Sequence, residues 1–222
     1  MVKIYEFDAL SNKDYKYIKE HLQTSGIIIY PTETSYAVGG NALDNTAVQK
    51  IYALKGRNFD KPLPVLVKDL KMVVNIAELN RREEDLISKF WPGPLTIIFK
   101  LKKKIFSENY LFTGGLDSIG ARISPHPFPE RLFEEIDFPL VSTSANSSGR
   151  ESFSDFNELN KIFLSDPAVA SGVNILAINA GELTGGSSTI IEIGEKNKGI
   201  EIIREGENNI KKRLMCSMKN KE

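Results

Sequence analysis

Three isoleucines at positions 27–29 stand between Gly26 and a segment that reads YPTETSY at positions 30–36. A short β-branched run bounded by glycine and proline is typical of a buried strand. Pro31 has no N–H to donate to a sheet ladder, so the strand is expected to end there. Two threonine hydroxyls and the Glu33 carboxylate then stand at its carboxyl end, where ligands bind in open α/β sheets. A plain polar turn after a core strand is the alternative that this segment alone leaves open.

The composition is that of an ordinary soluble globular protein, with 222 residues, 41% of them hydrophobic and 26% charged. Lys plus Arg and Asp plus Glu each number 29, so no net charge draws the whole molecule to nucleic acid or a membrane. Cys216 is the only cysteine, which excludes an intramolecular disulfide and a multi-cysteine zinc site. Without a signal peptide or an apolar run of roughly 18 residues, we expect a cytoplasmic protein with no membrane partner.

Helical and extended patterns alternate along the chain, which predicts one α/β domain over 1–222, with a core at about 8–206 and a C-terminal helix and tail at 207–222. Helices are expected at 11–22, 80–90, 128–136, 155–164 and 209–218, and another one begins near Asp44. A strand is expected at 63–67, where Pro64 favours a sheet edge. Further strands are expected at 95–99, 119–123, 139–143, 175–179, 189–193 and 200–204.

A basic cluster follows the second predicted helix, where Lys55, Arg57 and Lys61 lie within seven residues beside Gly56. Such cations hold a polyphosphate by charge and hydrogen bonding. A solvated basic helix end, favoured by the helix macrodipole, is the commoner meaning of this pattern.

Arg122 stands inside an apolar strand, between Ala121 and Ile123. Burying an unpaired guanidinium is costly, so it must meet a carboxylate, either an Asp or Glu of the core or a bound ligand. His126 lies between two prolines in the next loop, and we expect it to be structural rather than catalytic.

Small hydroxyl residues follow the later strands. Residues 142–149 read STSANSSG, which provides donors for an anion or a plain Ser/Asn turn, and residues 185–189 and 204–206 repeat that chemistry. The chain contains no P-loop and no dinucleotide-binding glycine turn. It also lacks the motifs of zincins, CxxC redox proteins and α/β-hydrolases.

Taken in order, these segments resemble the YrdC/TsaC family, the threonylcarbamoyl-AMP synthases. The matching segments run from residue 30 to about 206 and read YPTETSYAVGG, KGRNFDKPLPVLV, FWPGPLTIIF, GARISPHP, PLVSTSANSSG, GGSSTII and IIREG. Each is weak alone, but all seven stand in the family's order. Longer members carry an additional C-terminal domain. This chain is expected to be too short to contain that domain, so it resembles the short, single-domain form.

The resemblance implies a twisted, open, mixed α/β sheet of YrdC type with helices packed on it and a concave basic cavity. It implies a nucleotidyltransferase that makes threonylcarbamoyl-AMP and pyrophosphate from L-threonine, bicarbonate and ATP. A downstream threonylcarbamoyl transferase would use the product to modify tRNA. Mg²⁺ is expected to be held mainly by the ATP phosphates, with no dedicated metal site on the protein.

Carried over position by position, the resemblance implies roles for particular residues. Threonine would be bound by Thr32 and Arg122, with Thr143 beside them. Lys55 and Arg57 would be catalytic, with Lys55 adding charge near the phosphates. Contacts to ATP are implied for Arg57, Lys61, Ser144, Asn146, Ser152, Ser188 and Arg204.

Departures from the family pattern lie at three places. Ala37 stands where many relatives have glycine, Leu66 where some have a histidine near the threonine amine, and Glu151 and Phe153 flank Ser152 in place of prolines.

Rival interpretations come from other proteins of the same fold. One is an RNA-binding, translation-factor-like protein for structured, double-stranded RNA, which zero net charge disfavours. A branch without settled activity lacks the KxR and SAN segments that this chain keeps. A carbamoyl-transfer domain of hydrogenase maturation normally belongs to a much longer chain.

Overall fold

The computed structural model describes residues 1–170, 173–184, 186–194, 199–207 and 209–219. Gly185 of the predicted anion-binding segment and residues 220–222 of the predicted tail lie outside the described residues. Strands are β1 (Val2–Glu6), β2 (Ile27–Pro31), β3 (Tyr36–Gly39), β4 (Val65–Leu66), β5 (Leu95–Lys100), β6 (Ser118–Arg122), β7 (Leu140–Val141), β8 (Thr143–Ser144), β9 (Ile175–Asn179), β10 (Thr189–Ile193) and β11 (Ile200–Arg204).

Helices alternate with these strands. They are α1 (Asn12–Gln23), α2 (Asn45–Lys55), α3 (Leu70–Ile76), α4 (Arg81–Phe90), α5 (Lys103–Ser107), α6 (Pro127–Leu132), α7 (Phe156–Leu159), α8 (Pro167–Ala170) and α9 (Ile210–Lys219). Short 3₁₀ turns lie at Phe7–Ala9 and Leu111–Thr113, and a π-helical turn, Asn160–Leu164, extends α7. None of the described helices combines the length and the apolar character needed to cross a bilayer.

The strands form two mixed sheets. The first sheet has the order β1-β9-β2-β3-β8, and the second sheet has the order β11-β10-β5-β6-β4-β7. In the first sheet β9 runs parallel to both β1 and β2, whereas β3 is antiparallel to β2 and β8. The predicted α/β class with mixed pairing is therefore confirmed, with the strands divided between two sheets.

Local signals explain the helix that approaches the site. The Asp44 carboxylate accepts the N–H groups of Thr46 and Ala47 and so begins α2. Gly56 ends α2 in the left-handed conformation, at φ 56°, which costs glycine less than any residue with a side chain. The basic cluster therefore begins at a sharp change of chain direction.

The core forms where helices cover β2. All five residues of β2 are buried, and α1, α2 and α6 pack against this strand. Three isoleucine side chains removed from water contribute several kcal/mol, at about 1.5–3 kcal/mol each. Buried side chains of the two sheets belong to one hydrophobic cluster.

Two strand predictions near the site need correction. The strand predicted at 63–67 is reduced to β4, which lies inside the second sheet between β6 and β7 and not at an edge. Pro64 precedes the paired residues, and its carbonyl still accepts the N–H of Ser142 at 2.8 Å, so its missing N–H breaks no ladder. The strand predicted at 139–143 is two strands, because the chain leaves the second sheet after β7 and enters the first sheet at β8.

Two helix predictions are also modified. The helix predicted at 128–136 ends earlier, since α6 stops at Leu132 and turns follow. The helix predicted at 155–164 is confirmed as α7 and its π-helical extension.

Candidate active site

A cavity of about 920 Å³ is lined by residues of both sheets. The first sheet contributes its β2–β3 turn, β3 and β8, and the second sheet contributes β5, β6, β10 and β11. The wall includes nine of the predicted site residues, namely Thr32, Arg57, Arg122, Thr143, Ser144, Asn146, Ser152, Ser188 and Arg204. Lys55 and Lys61 are not on the wall.

The Thr32 hydroxyl organises the turn between β2 and β3. Strand β2 ends at Pro31 as predicted, but the chain turns straight back, and Pro31 pairs with Tyr36 across an antiparallel hairpin. Thr32 Oγ1 donates to the Ser35 carbonyl at 2.7 Å and lies 2.9 Å from Thr34 Oγ1. Thr32 is only 1% exposed, so its hydroxyl is fixed at the cavity wall by the turn itself.

Arg122 has the anionic partner that its burial demands. Its NH1 group donates to Oε1 of Glu33, and the side chains of Arg122 and Glu33 are 8% and 15% exposed. Ser124 donates its hydroxyl to the other oxygen of the same carboxylate. The carboxylate expected from the sequence is therefore a protein residue, while the guanidinium still lines the cavity.

Lys55 lies beneath the loop at 144–151 and not on the cavity wall. Its ammonium donates to the Ser144 carbonyl and, at 2.8 Å, to both the carbonyl and Oδ1 of Asn146. Burial, reinforced by the Arg57 charge, lowers the pKa of Lys55 from 10.5 to about 7. Lys55 is 3% exposed and its donors are occupied by the loop, so it anchors the loop behind the cavity wall. The expected effect of its charge on bound phosphates stays a prediction.

Asn146 passes this anchoring on to the rest of the loop. Its Nδ2 donates to the carbonyls of Arg150 and, at 3.1 Å, Glu151, while Ser144 donates to its Oδ1 at 2.7 Å. Ser144 and Asn146 therefore stand on the wall in fixed orientations.

Arg57 and Lys61 diverge. Arg57 donates from NH2 to the Pro62 carbonyl at 3.1 Å and lines the cavity. Lys61 is exposed, and the carbonyl of its backbone accepts the Tyr52 hydroxyl at 2.7 Å. The expectation that both cations face one cavity is met for Arg57 alone, because the backbone around Lys61 is held by Tyr52 and its side chain extends into solvent.

Ser188 and Arg204 form a third part of the wall. Arg204 donates from NH2 to the carbonyl and the hydroxyl of Ser188, at 2.9 and 3.1 Å. The Ser188 hydroxyl also lies 3.0 Å from Thr96 Oγ1 on β5. Burial lowers the pKa of Arg204, and the like charge of Arg122 lowers it further.

Some wall residues escape the sequence analysis. Arg150 lines the cavity as a fourth arginine, and the carboxylates of Glu151 and Glu207 share the wall with it. The signal for Arg150 was its position directly after the predicted anion-binding segment. Thr184, which donates to the Glu33 carbonyl at 3.2 Å, had no signal because that contact spans 151 residues.

Of the positions that depart from the family pattern, some lie on the cavity wall and others do not. Ala37 and Glu151 line the cavity, whereas Phe153 and Leu66, which is fully buried in β4, are absent from the wall. His126 accepts the N–H of Phe128 at 3.1 Å and caps α6, and burial lowers its pKa. This contact supports the structural role expected for His126.

Comparison with known proteins identifies the family of this chain. The sequence profile of the Sua5/YciO/YrdC family, described as telomere recombination, matches residues 20–206. This chain belongs to the Sua5/YciO/YrdC family. The resemblance found in the sequence is thereby confirmed.

Curated relatives in this family include threonylcarbamoyl-AMP synthases. A putative threonylcarbamoyl-AMP synthase of Methanocaldococcus jannaschii is 36% identical over 166 residues, which are 72% of this chain and 74% of that protein. The threonylcarbamoyl-AMP synthase of Bacillus subtilis is 36% identical over 132 residues, which are 59% of this chain and 38% of that protein. This chain thus spans most of the first relative and well under half of the second.

Solved structures show the same fold. Pyrococcus abyssi Sua5 complexed with L-threonine has a TM-score of 0.82 and 26% identity, over 97% of this chain and 61% of that chain. Escherichia coli YciO has a TM-score of 0.76 and 23% identity, over 95% of this chain and 98% of that chain, a likeness that shows the fold alone. The expected YrdC-type fold is confirmed.

Proposed function

We propose that this member of the Sua5/YciO/YrdC family is a threonylcarbamoyl-AMP synthase, a nucleotidyltransferase acting on L-threonine, bicarbonate and ATP. The observation that carries the proposal is the single cavity on which Thr32, Arg57, Arg122 and the 144–151 loop converge. Its volume of about 920 Å³ is within the range of small-molecule and cofactor sites. The synthases among its relatives support the same reaction.

In the proposed reaction, the threonine amine and bicarbonate give a carbamate and water. A carbamate oxygen then attacks the α-phosphorus of ATP, and the bond from that phosphorus to the departing pyrophosphate breaks. Such a displacement needs positioning and charge neutralisation more than a strong base. Arginines and hydroxyls on the cavity wall provide both.

The residues divide the substrates between them. Arg122, with Thr32 and Thr143, would hold the threonine, and its guanidinium suits a carboxylate. Contacts to ATP are proposed for the wall residues Arg57, Ser144, Asn146, Ser152, Ser188 and Arg204. Lys55 would act by holding the loop that carries Ser144 and Asn146, since its donors already bind that loop.

Mg²⁺ stays part of the proposal. Within the described residues, no group of three or more His, Cys, Asp or Glu side chains is placed to hold a metal ion. The wall carboxylates are Glu151 and Glu207, beside four arginines and many hydroxyls. These groups suit an ion that arrives with ATP and is coordinated by phosphates and water, where it would neutralise phosphate charge.

The proposal extends to the fate of the product. A threonylcarbamoyl transferase would use threonylcarbamoyl-AMP to modify tRNA, and ATP-dependent tRNA modification suits a cytoplasmic location. Direct contact with tRNA is not required for making the adenylate.

The test is to incubate the purified protein with ATP, bicarbonate and L-threonine and analyse the mixture by mass spectrometry. We expect threonylcarbamoyl-AMP, and a mass shift when the threonine is isotopically labelled. Intact ATP, or ADP with no adenylate product, would refute the proposed function.

A further inference from the structure

Glu33 lies in the turn between β2 and β3 of the first sheet. Its carboxylate contacts residues at the end of β6, in the second sheet. Oε1 accepts from Arg122 on β6, and Oε2 accepts from Ser124 just beyond that strand. The Glu33 side chain is 15% exposed, so this charge is largely removed from water. A buried carboxylate is retained at low cost only where it is paired and hydrogen-bonded, as it is here.

The backbone of Glu33 is held as well. Its carbonyl accepts the Thr184 hydroxyl at 3.2 Å, and the adjoining turn is closed by the bonds of the Thr32 hydroxyl. The carboxylate therefore has a fixed origin in the first sheet and a fixed target in the second sheet.

Arg122 uses only part of its donor fork for this contact. NH1 binds Glu33, whereas the other N–H groups of the guanidinium have no hydrogen-bond partner among the described residues. The guanidinium lines the cavity and can offer those donors to an anion there. An arginine clamped on one edge loses less rotamer freedom when a ligand binds its other edge.

The charges on the cavity wall also support a role for Glu33 as the partner of Arg122. Arg122 and Arg204 are close enough that Arg122 lowers the pKa of Arg204. Glu33 offsets the charge of Arg122 and thus lowers the cost of keeping two guanidinium groups on one wall before any ligand arrives.

We propose that Glu33 is a positioning residue for the amino-acid substrate, holding Arg122 so that its free edge receives the threonine carboxylate. This inference rests on the proposed function and assigns no contact between Glu33 and substrate. Glu33 acts through Arg122, so its loss should weaken threonine binding selectively, while the ATP contacts stay intact.

The experiment compares Glu33→Gln with Glu135→Gln. The control removes a carboxylate from another partly buried Glu–Arg pair, Glu135 with Arg131 at 2.9 Å, and neither partner lines the cavity. Threonine and ATP binding are measured separately by calorimetry, and melting temperatures are recorded. We expect Glu33→Gln to weaken threonine binding by about ten-fold or more, the size of one charge-assisted hydrogen bond. ATP affinity should change by less than about two-fold, and Glu135→Gln should change the affinity for neither threonine nor ATP.

Unchanged threonine affinity in Glu33→Gln would show that Glu33 only links the two sheets, and it would overturn the inference. Tighter threonine binding would also overturn it, since Glu33 would then compete with the substrate for Arg122. If the variant does not fold, Glu33→Asp replaces it: the shorter side chain keeps the charge but no longer reaches Arg122 in the same way, and unchanged threonine binding there would also overturn the inference. A wild-type protein that binds no threonine would overturn the proposed function itself, and that result is distinct because it precedes any variant.

Discussion

At the scale of single residues, the cavity depends on arginines whose positions are set by oxygen acceptors. Arg57 is held by the Pro62 carbonyl and Arg204 by the Ser188 carbonyl, which are neutral partners that leave the full positive charge in place. Arg122 is held by a carboxylate, which balances its charge. The first two therefore suit a polyphosphate, and the third suits a singly charged carboxylate.

Replacing Arg57 by alanine tests the polyphosphate part of the wall. Charge-assisted hydrogen bonds are worth about 1.5–3 kcal/mol, so we expect Arg57→Ala to weaken ATP binding roughly ten- to a hundred-fold with the fold intact. Calorimetry measures the affinity, and Arg81→Ala at the exposed start of α4 is the control. Unchanged ATP affinity in Arg57→Ala would mean that the cluster is only a solvated helix end.

Replacing Arg122 by lysine tests the carboxylate part. Lysine keeps the charge but loses the planar fork, so Arg122→Lys should raise the KM for threonine and leave that for ATP nearly unchanged. Serine lacks only one methyl group, worth about 1–3 kcal/mol, and should remain a poor but detectable substrate. Steady-state kinetics with each substrate varied in turn provides the measurement. Impaired ATP use with normal threonine use would show that the two pockets have been exchanged.

At the scale of elements, the anchoring of the 144–151 loop to the end of α2 brings distant segments together. The ammonium of Lys55 has three oxygen acceptors in the loop, and the Lys55 carbonyl accepts the N–H of Ser148 at 3.0 Å. The KxR and SAN segments therefore form one structural unit.

This anchor makes stability depend on pH. The pKa of Lys55 is lowered from 10.5 to about 7, so between these values the unfolded chain binds more protons at this group than the folded chain. Stability contributed by Lys55 therefore rises with pH across that window. We expect the difference in unfolding free energy between wild type and Lys55→Met to grow in favour of wild type from about pH 7 to about pH 9. Denaturant titrations at both pH values measure it, and a constant difference would contradict the lowered pKa.

Elements with local signals are predictable from sequence. Helix α1 begins at the Ser11–Asp14 capping box, and β2 is an apolar run with clear boundaries. Strand β3 gives no such signal, because its burial comes from pairing with β2 and β8. The interior position of β4 is equally hidden, since it depends on partners more than 50 residues away, such as Ala121.

The same division applies to the site. Hydroxyl and cation clusters at element ends were visible in the sequence, and most of them reach one cavity. Side-chain direction was not visible: Lys55 is turned under the loop by Asn146, and the Lys61 segment is fixed by Tyr52. Asn146 is 91 residues from Lys55 in the sequence, and Tyr52 is 9 residues from Lys61. These contacts are therefore seen only in the folded chain.

At the scale of the whole molecule, positive charge is concentrated in a chain that is neutral overall. Lys plus Arg and Asp plus Glu number 29 each, while four arginines line one cavity. Anion binding is thus a local property, and long-range attraction of a nucleic acid is weak.

We therefore expect weak tRNA binding that falls steeply with salt and shows little sequence preference. Gel-shift titrations with tRNA at two salt concentrations test this expectation. Nanomolar affinity at physiological salt would favour the RNA-binding alternative, since that strength characterises specific nucleic-acid complexes.

The most direct measurement is pyrophosphate release by the wild-type protein with each substrate omitted in turn. If threonine and ATP share the cavity as proposed, release requires L-threonine, bicarbonate and ATP together and stops when any one is withheld. Equal release without threonine or without bicarbonate would make the protein a generic ATP-cleaving enzyme and contradict the assignment of this cavity.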